Sequence, residues 1–205
     1  MNANKVETLF LDIGNVLLTN GWDRGSRKLA AAHFNFDMAE MDERHHLTFD
    51  TYELGKLSLD DYLKRAVFYT DRDFTKEEFK TFMYEQSQPY EEMISFFKSL
   101  KAKYHFNVVA LNNEGRELND FRIKKFRLDK LFDSFASSCY VKLRKPDIDI
   151  FHIALDIAHT TPSRSIYVDD RLLYIEVASA IGIHTVHHQT LDNTKEKLKE
   201  FGFSL

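Results

Sequence analysis

The sequence predicts an α/β fold: a parallel sheet of five main strands, with an α-helical insertion after the first. Three observations carry this. Short apolar, β-rich runs recur along the chain, segments with helical spacing accompany the last four of them, and residues from about 20 to 87 hold helical patterns but no strand. Only 7 Gly and 3 Pro occur in 205 residues, which excludes Gly/Ser linkers and collagen-like repeats, and 18 Phe supply ample apolar mass for a core.

The runs are Val6–Ile13, Phe106–Leu111, Phe135–Val141, Ser165–Val168 and His184–Val186. Helical patterns cover Arg116–Phe126, Ile148–Ile157, Leu172–Ile181 and Leu191–Phe201. Strands alternating with helices of this length imply right-handed βαβ crossovers. Within the insertion, Leu29, Ala32, His33 and Phe36 form one stripe and Leu59, Tyr62, Leu63, Ala66 and Val67 another. Ser58 is the expected N-cap of the second, and Thr75 with Glu78 reads as a capping box. The expected division is a core over residues 1–19 and 88–205 and a helical cap over residues 20–87.

The net charge is −4 and the basic residues form no stripe, which speaks against a nucleic-acid partner. The single cysteine, Cys139, has no internal partner, as in a reducing compartment, and no apolar run approaches a membrane span. A cytoplasmic protein, monomeric or weakly dimeric, is expected.

Three clusters lie just past apolar strands: Asp12 in FLDIGNVLL, Asn112–Asn113 in VVALNN, and Asp169–Asp170 in SIYVDD. In an open parallel sheet, ligands gather at the carboxyl ends of the strands near the switch point, so the three clusters are expected to converge. Brought to about 4 Å at an effective dielectric of about 20, each pair of like charges costs roughly 4 kcal/mol. A hard divalent cation removes that cost, and Mg²⁺ held by carboxylates beside a phosphate is the common arrangement. Lys145 in LRKPD adds a positive charge for a phosphate, with Pro146 expected at the first position of the following helix.

These strings, in this order, resemble the motifs of the haloacid dehalogenase-like hydrolase superfamily, in particular its sugar-phosphatase-like members with a small helical cap. The resemblance implies a Rossmann-like sheet of order 3-2-1-4-5 and a cap that opens and closes over the crevice. Asp12 is then the nucleophile, Asn112 and Asn113 bind phosphate with Lys145, and Asp12, the Gly14 carbonyl, Asp169 and Asp170 hold Mg²⁺. The implied activity is a phosphatase acting on a small phosphorylated metabolite, such as a sugar phosphate, through an aspartyl-phosphate. The cap string YELGKLSLDDYL, with Glu53 and Gly55, also looks like one common in these relatives.

Two positions depart from the pattern. Gly14 stands where most phosphatases of the superfamily carry an acid/base Asp, and Asn112 stands where Ser or Thr binds phosphate. They motivate a second reading, a phosphate-binding or regulatory module with weak or no turnover. The nine histidines are expected to be structural or exposed, Trp22 and Arg24 to face the substrate or pin the cap, and Cys139 to be a small core residue in a strand.

Overall fold

The structure, a computed structural model, describes residues 6–205; the first five residues of the expected core lie outside it. Five parallel strands, β1 (Thr8–Leu11), β2 (Asn107–Ala110), β3 (Ser134–Phe135), β4 (Ser165–Asp169) and β5 (His184–His187), form one sheet in the order β3-β2-β1-β4-β5. β1 is central, with Leu11 in register with Ala110 on one side and Val168 on the other. The strand order reverses at β1, so Asp12 leaves the sheet at the switch point.

Side chains alternate across each strand, and both faces are covered. Leu9, Leu11, Val108 and Val168 pack with Phe97, Leu100 and Leu198 from α5 (Glu91–Tyr104) and α10 (Leu191–Glu200). Phe10, Val109 and Tyr167 pack on the opposite face with Phe151, Ala154 and Ala178 from α8 (Ile148–Ile157) and α9 (Leu172–Ala180).

Four helices, α1 (Arg24–His33), α2 (Met38–Glu53), α3 (Leu59–Ala66) and α4 (Lys76–Glu85), lie between β1 and α5 and share a third core. That core includes Tyr62, Phe79 and Met83, and Leu118 of α6 (Arg116–Lys125) joins it from the sheet side. Ser58 caps α3, and Thr75 with Glu78 forms the capping box of α4.

Three local expectations are corrected. The run Phe135–Val141 is not one strand: β3 ends at Phe135, and Ser138–Val141 forms the short helix α7, which carries the buried Cys139. The hydroxyls of Ser137 and Ser138 are drawn into side-chain and loop contacts with Asn112, Glu114 and Glu53, which turns the chain out of the sheet. The stripe through Leu29 fails, because α1 buries Ala30 and Ala31 while Leu29 is 59% exposed. Pro146 precedes the helix, whose N-cap is Asp147.

Candidate active site

A pocket of about 280 Å³ opens between the carboxyl ends of the strands and helices α1 and α2. Asp12, Gly14, Asn113 and Lys145 line it from the sheet side, and Trp22, His45 and Glu53 line it from the cap side.

Lys145 is 1% exposed, and its Nζ lies 3.1 Å from Asp12 Oδ1 and 2.6 Å from Asp169 Oδ2. Burial alone would depress this lysine, but the two carboxylates outweigh it and raise its pKa, keeping it an ammonium. Tyr167 Oη donates to the same Asp169 oxygen, and the Arg171 backbone N–H donates to the other at 2.7 Å. Asn15, in the left-handed conformation that Asn tolerates, donates to Asp170 Oδ2 at 2.9 Å and so orients the second acid.

One carboxylate oxygen from each of Asp12, Asp169 and Asp170 lies within 4.8 Å of the others. Burial, with the neighbouring Asp169 and Asp170, raises Asp12 to about 7 against the pull of Lys145. An all-oxygen set of this charge fits a hard divalent ion, which would reverse that rise.

The two asparagines serve differently from expectation. Asn113 exchanges two hydrogen bonds with the Lys145 backbone, donating to its carbonyl at 2.8 Å and accepting from its N–H at 2.9 Å. It thereby fixes the loop that presents the lysine. Asn112, expected to face a phosphate, does not line the pocket: its amide donates to Asn119 at 3.0 Å and its oxygen accepts from Ser137 at 2.7 Å. The longer side chain is held inside the core, where it braces the loop after β2.

At Gly14 the pocket wall has no side chain of its own. A Cβ there would lie 2.6 Å from Asn20 Oδ1, the tip of a half-buried side chain that would have to turn aside to admit a larger residue.

Several pocket residues escaped the sequence reading. Glu114 and Arg122 form a buried ion pair at 2.8 Å, and Arg122 also donates to the Thr19 carbonyl at 2.6 Å, bracing the segment that leads into the cap. Burial raises Glu114 to about 7 despite Arg122. Arg144 binds Glu53 Oε2 at 2.7 Å and pairs with Asp50, joining the end of α2 to the loop of Lys145. Of this pair, only Glu53 stood in a string that the sequence singled out, YELG. Trp22 and Arg24 line the pocket, and they bond to Tyr62 and Asp42 within the cap.

A family model described as haloacid dehalogenase-like hydrolase matches residues 27–188. The chain belongs to the haloacid dehalogenase-like hydrolases. It is 24% identical over 216 aligned positions to a D-ribitol-5-phosphate phosphatase of Bacteroides thetaiotaomicron, covering 94% of this chain and 97% of that protein. Its fold is shared by a haloacid dehalogenase family enzyme of the same organism, solved in complex with magnesium and inorganic phosphate. That structure matches with a TM-score of 0.76 and 18% identity over 90% of this chain and 94% of the other. A haloacid dehalogenase-like family hydrolase from Porphyromonas gingivalis matches with a TM-score of 0.74 and 18% identity, over 96% and 97% of the two chains. Among the described residues, no helix of this hydrolase is long and apolar enough to cross a membrane.

Proposed function

We propose that this hydrolase is a Mg²⁺-dependent phosphatase acting on a small, hydroxylated phosphate monoester through an aspartyl-phosphate on Asp12. The observation that carries this reading is the Lys145 ammonium bridging Asp12 and Asp169 beside Asp170 at the switch point. Asp12, Asp169, Asp170 and the Gly14 carbonyl would hold the ion, which supplies Lewis-acid neutralisation of phosphoryl charge. Asp12 attacks phosphorus, and the bond to the leaving oxygen breaks. Lys145 stabilises the charge on the transferring group, as preorganised electrostatics require. Asn113 keeps that lysine in place, while Asn112 acts at one remove through the loop it braces. Water then attacks the aspartyl-phosphate and releases orthophosphate.

The substrate class is supported by the size and lining of the pocket, about 280 Å³ and rich in charged and hydrogen-bonding groups, and by the polyol phosphate named for the Bacteroides relative. The expected division into a core and a helical cap over residues 20–87 agrees with this reading, the cap supplying the wall that meets the leaving group. Gly14, which offers no acid/base side chain, favours the second reading, a phosphate-binding or regulatory module of weak or no turnover.

The deciding experiment is phosphate release from a panel of small phosphate esters with and without Mg²⁺. Asp12→Asn is expected to lower kcat by about 10³-fold or more, since it removes the nucleophile. Undiminished turnover in that variant would refute the mechanism. Tight orthophosphate binding with no turnover of any ester would support the module instead.

A further inference from the structure

Outside the Asp12–Lys145 cluster, the cap holds a hydrogen-bonded chain that ends at the pocket. Trp22 Nε1 lies 2.9 Å from Tyr62 Oη, which lies 2.8 Å from His45 Nδ1. An indole N–H only donates, so the Tyr62 oxygen accepts from Trp22. Tyr62 is fully buried, and His45 Nδ1 is the one acceptor its hydroxyl hydrogen meets among the described residues. Were Nδ1 protonated instead, two donors would face one oxygen, and the phenolic hydrogen would be stranded in the core without an acceptor. Nδ1 therefore accepts, and the proton of the neutral ring sits on Nε2.

Nε2 has no partner among the described residues, and the ring lines the same pocket as Asp12. Its orientation is held by stacking on Phe49, with ring centroids 5.0 Å apart, and by the edge contact with Tyr62 at 5.9 Å. Burial and the adjacent Arg27 depress the imidazole to about 3, so it stays neutral over the physiological range. Of the arginines near the ring, Arg24 and Arg27 share the Asp42 carboxylate, at 2.9 Å and 3.0 Å, while Arg171 lines the same pocket with no ion pair among the described residues.

We infer that His45 Nε2–H is a fixed, neutral hydrogen-bond donor that recognises an acceptor oxygen on the leaving group, and that Trp22 and Tyr62 are positioning residues that set its tautomer. The inference rests on the phosphatase reading and narrows its substrate class. A neutral donor selects hydroxyl or carbonyl oxygen, so this wall favours polyol and sugar phosphates over plain alkyl phosphates.

The test has two arms, neither of which needs turnover. Nitrogen NMR of histidine-labelled protein with Mg²⁺, the signal assigned by its loss in His45→Phe, is expected to show His45 as the Nε2–H tautomer near pH 7. An Nδ1–H tautomer or an imidazolium would overturn the inference. In an Asp12→Asn background, calorimetry is then run with a five-carbon polyol phosphate and with butyl phosphate. Adding His45→Phe is expected to weaken the polyol phosphate about 10- to 100-fold and leave butyl phosphate within about 2-fold. Adding Tyr62→Phe is expected to give a smaller loss of the same selectivity. Equal loss on both ligands, or none on either, would overturn the inference. Failure of the phosphatase reading shows separately, as an absence of Asp12-dependent phosphate release from any ester.

Discussion

Asn20 and Gly14 occupy one space between them. The oxygen of Asn20 lies 2.6 Å from where a side chain at position 14 would begin, so Gly14→Asp has to turn the Asn20 side chain aside. The cost falls at the low end of the roughly 1–3 kcal/mol of overpacking, since only the tip of a side chain moves. The double change Gly14→Asp with Asn20→Gly restores both room and a carboxyl. It is expected to raise kcat on alkyl phosphates, whose leaving oxygen needs a proton, by about 10-fold or more, and to leave aryl phosphates nearly unchanged. The single change should lower the melting temperature without that gain. A second expectation follows from the carboxylates. Mg²⁺ at about 100 times its Kd is expected to stabilise the fold by roughly 2.7 kcal/mol, read as a rise in melting temperature. Asp170→Asn should reduce that rise, because it removes one of the three oxygens that converge.

Among the elements, the end of α2 is the one most closely fitted to its surroundings. The Tyr52 ring lies against Gly115 so closely that a Cβ there would fall inside it, while Ser138 donates to the Glu53 carbonyl at 2.7 Å and Lys142 to the Gly55 carbonyl at 2.6 Å. Gly115→Ala is therefore expected to lower the melting temperature by several degrees through a clash worth about 1–3 kcal/mol. Adding Tyr52→Leu should recover part of that loss, which a denaturation series would reveal as non-additivity. This fit also marks how far the sequence could be read. Four of the five strands, the helices of the sheet layer and the caps at Ser58 and Thr75 were legible because periodicity and capping are local signals, whereas β3 was overlaid by the turn into α7. The convergence of Asp12, Asp169 and Asp170 was legible because each stands at or just past the end of a strand that topology brings to one end of the sheet, and Lys145 was legible from the RKPD string ahead of a helix. The burial of Asn112 was not, since it depends on Asn119 in the next helix and on Ser137 beyond it, neither marked by a pattern of its own. Nor was His45, whose neighbour His46 looks the same in the chain; only the placement of Tyr62 on another helix tells them apart.

At the scale of the molecule, two buried groups tilt stability against pH in opposite senses. His45 is held near 3 against an ordinary value of 6.5, so the unfolded chain takes up the extra proton between those limits and stability is lost as pH falls through that window. Glu114 is raised to about 7 from 4.5, so the folded chain keeps a proton that the unfolded one releases, and stability is lost as pH rises through that window. Thermal melts from pH 4 to 8 should show His45→Phe flattening the acid limb, and Glu114→Gln flattening the decline toward neutrality. If neither limb changes, these groups do not titrate as their surroundings dictate.

The seam between Arg144 and α2 has a further consequence. Its partners are partly solvent-exposed carboxylates, Asp50 and Glu53, whereas the contact through Leu118 is apolar and dry. Dissolved salt weakens the first kind of contact and spares the second. Added salt is therefore expected to loosen the charged seam at Arg144 while the apolar contact holds, and the melting temperature is expected to fall only slightly as ionic strength rises.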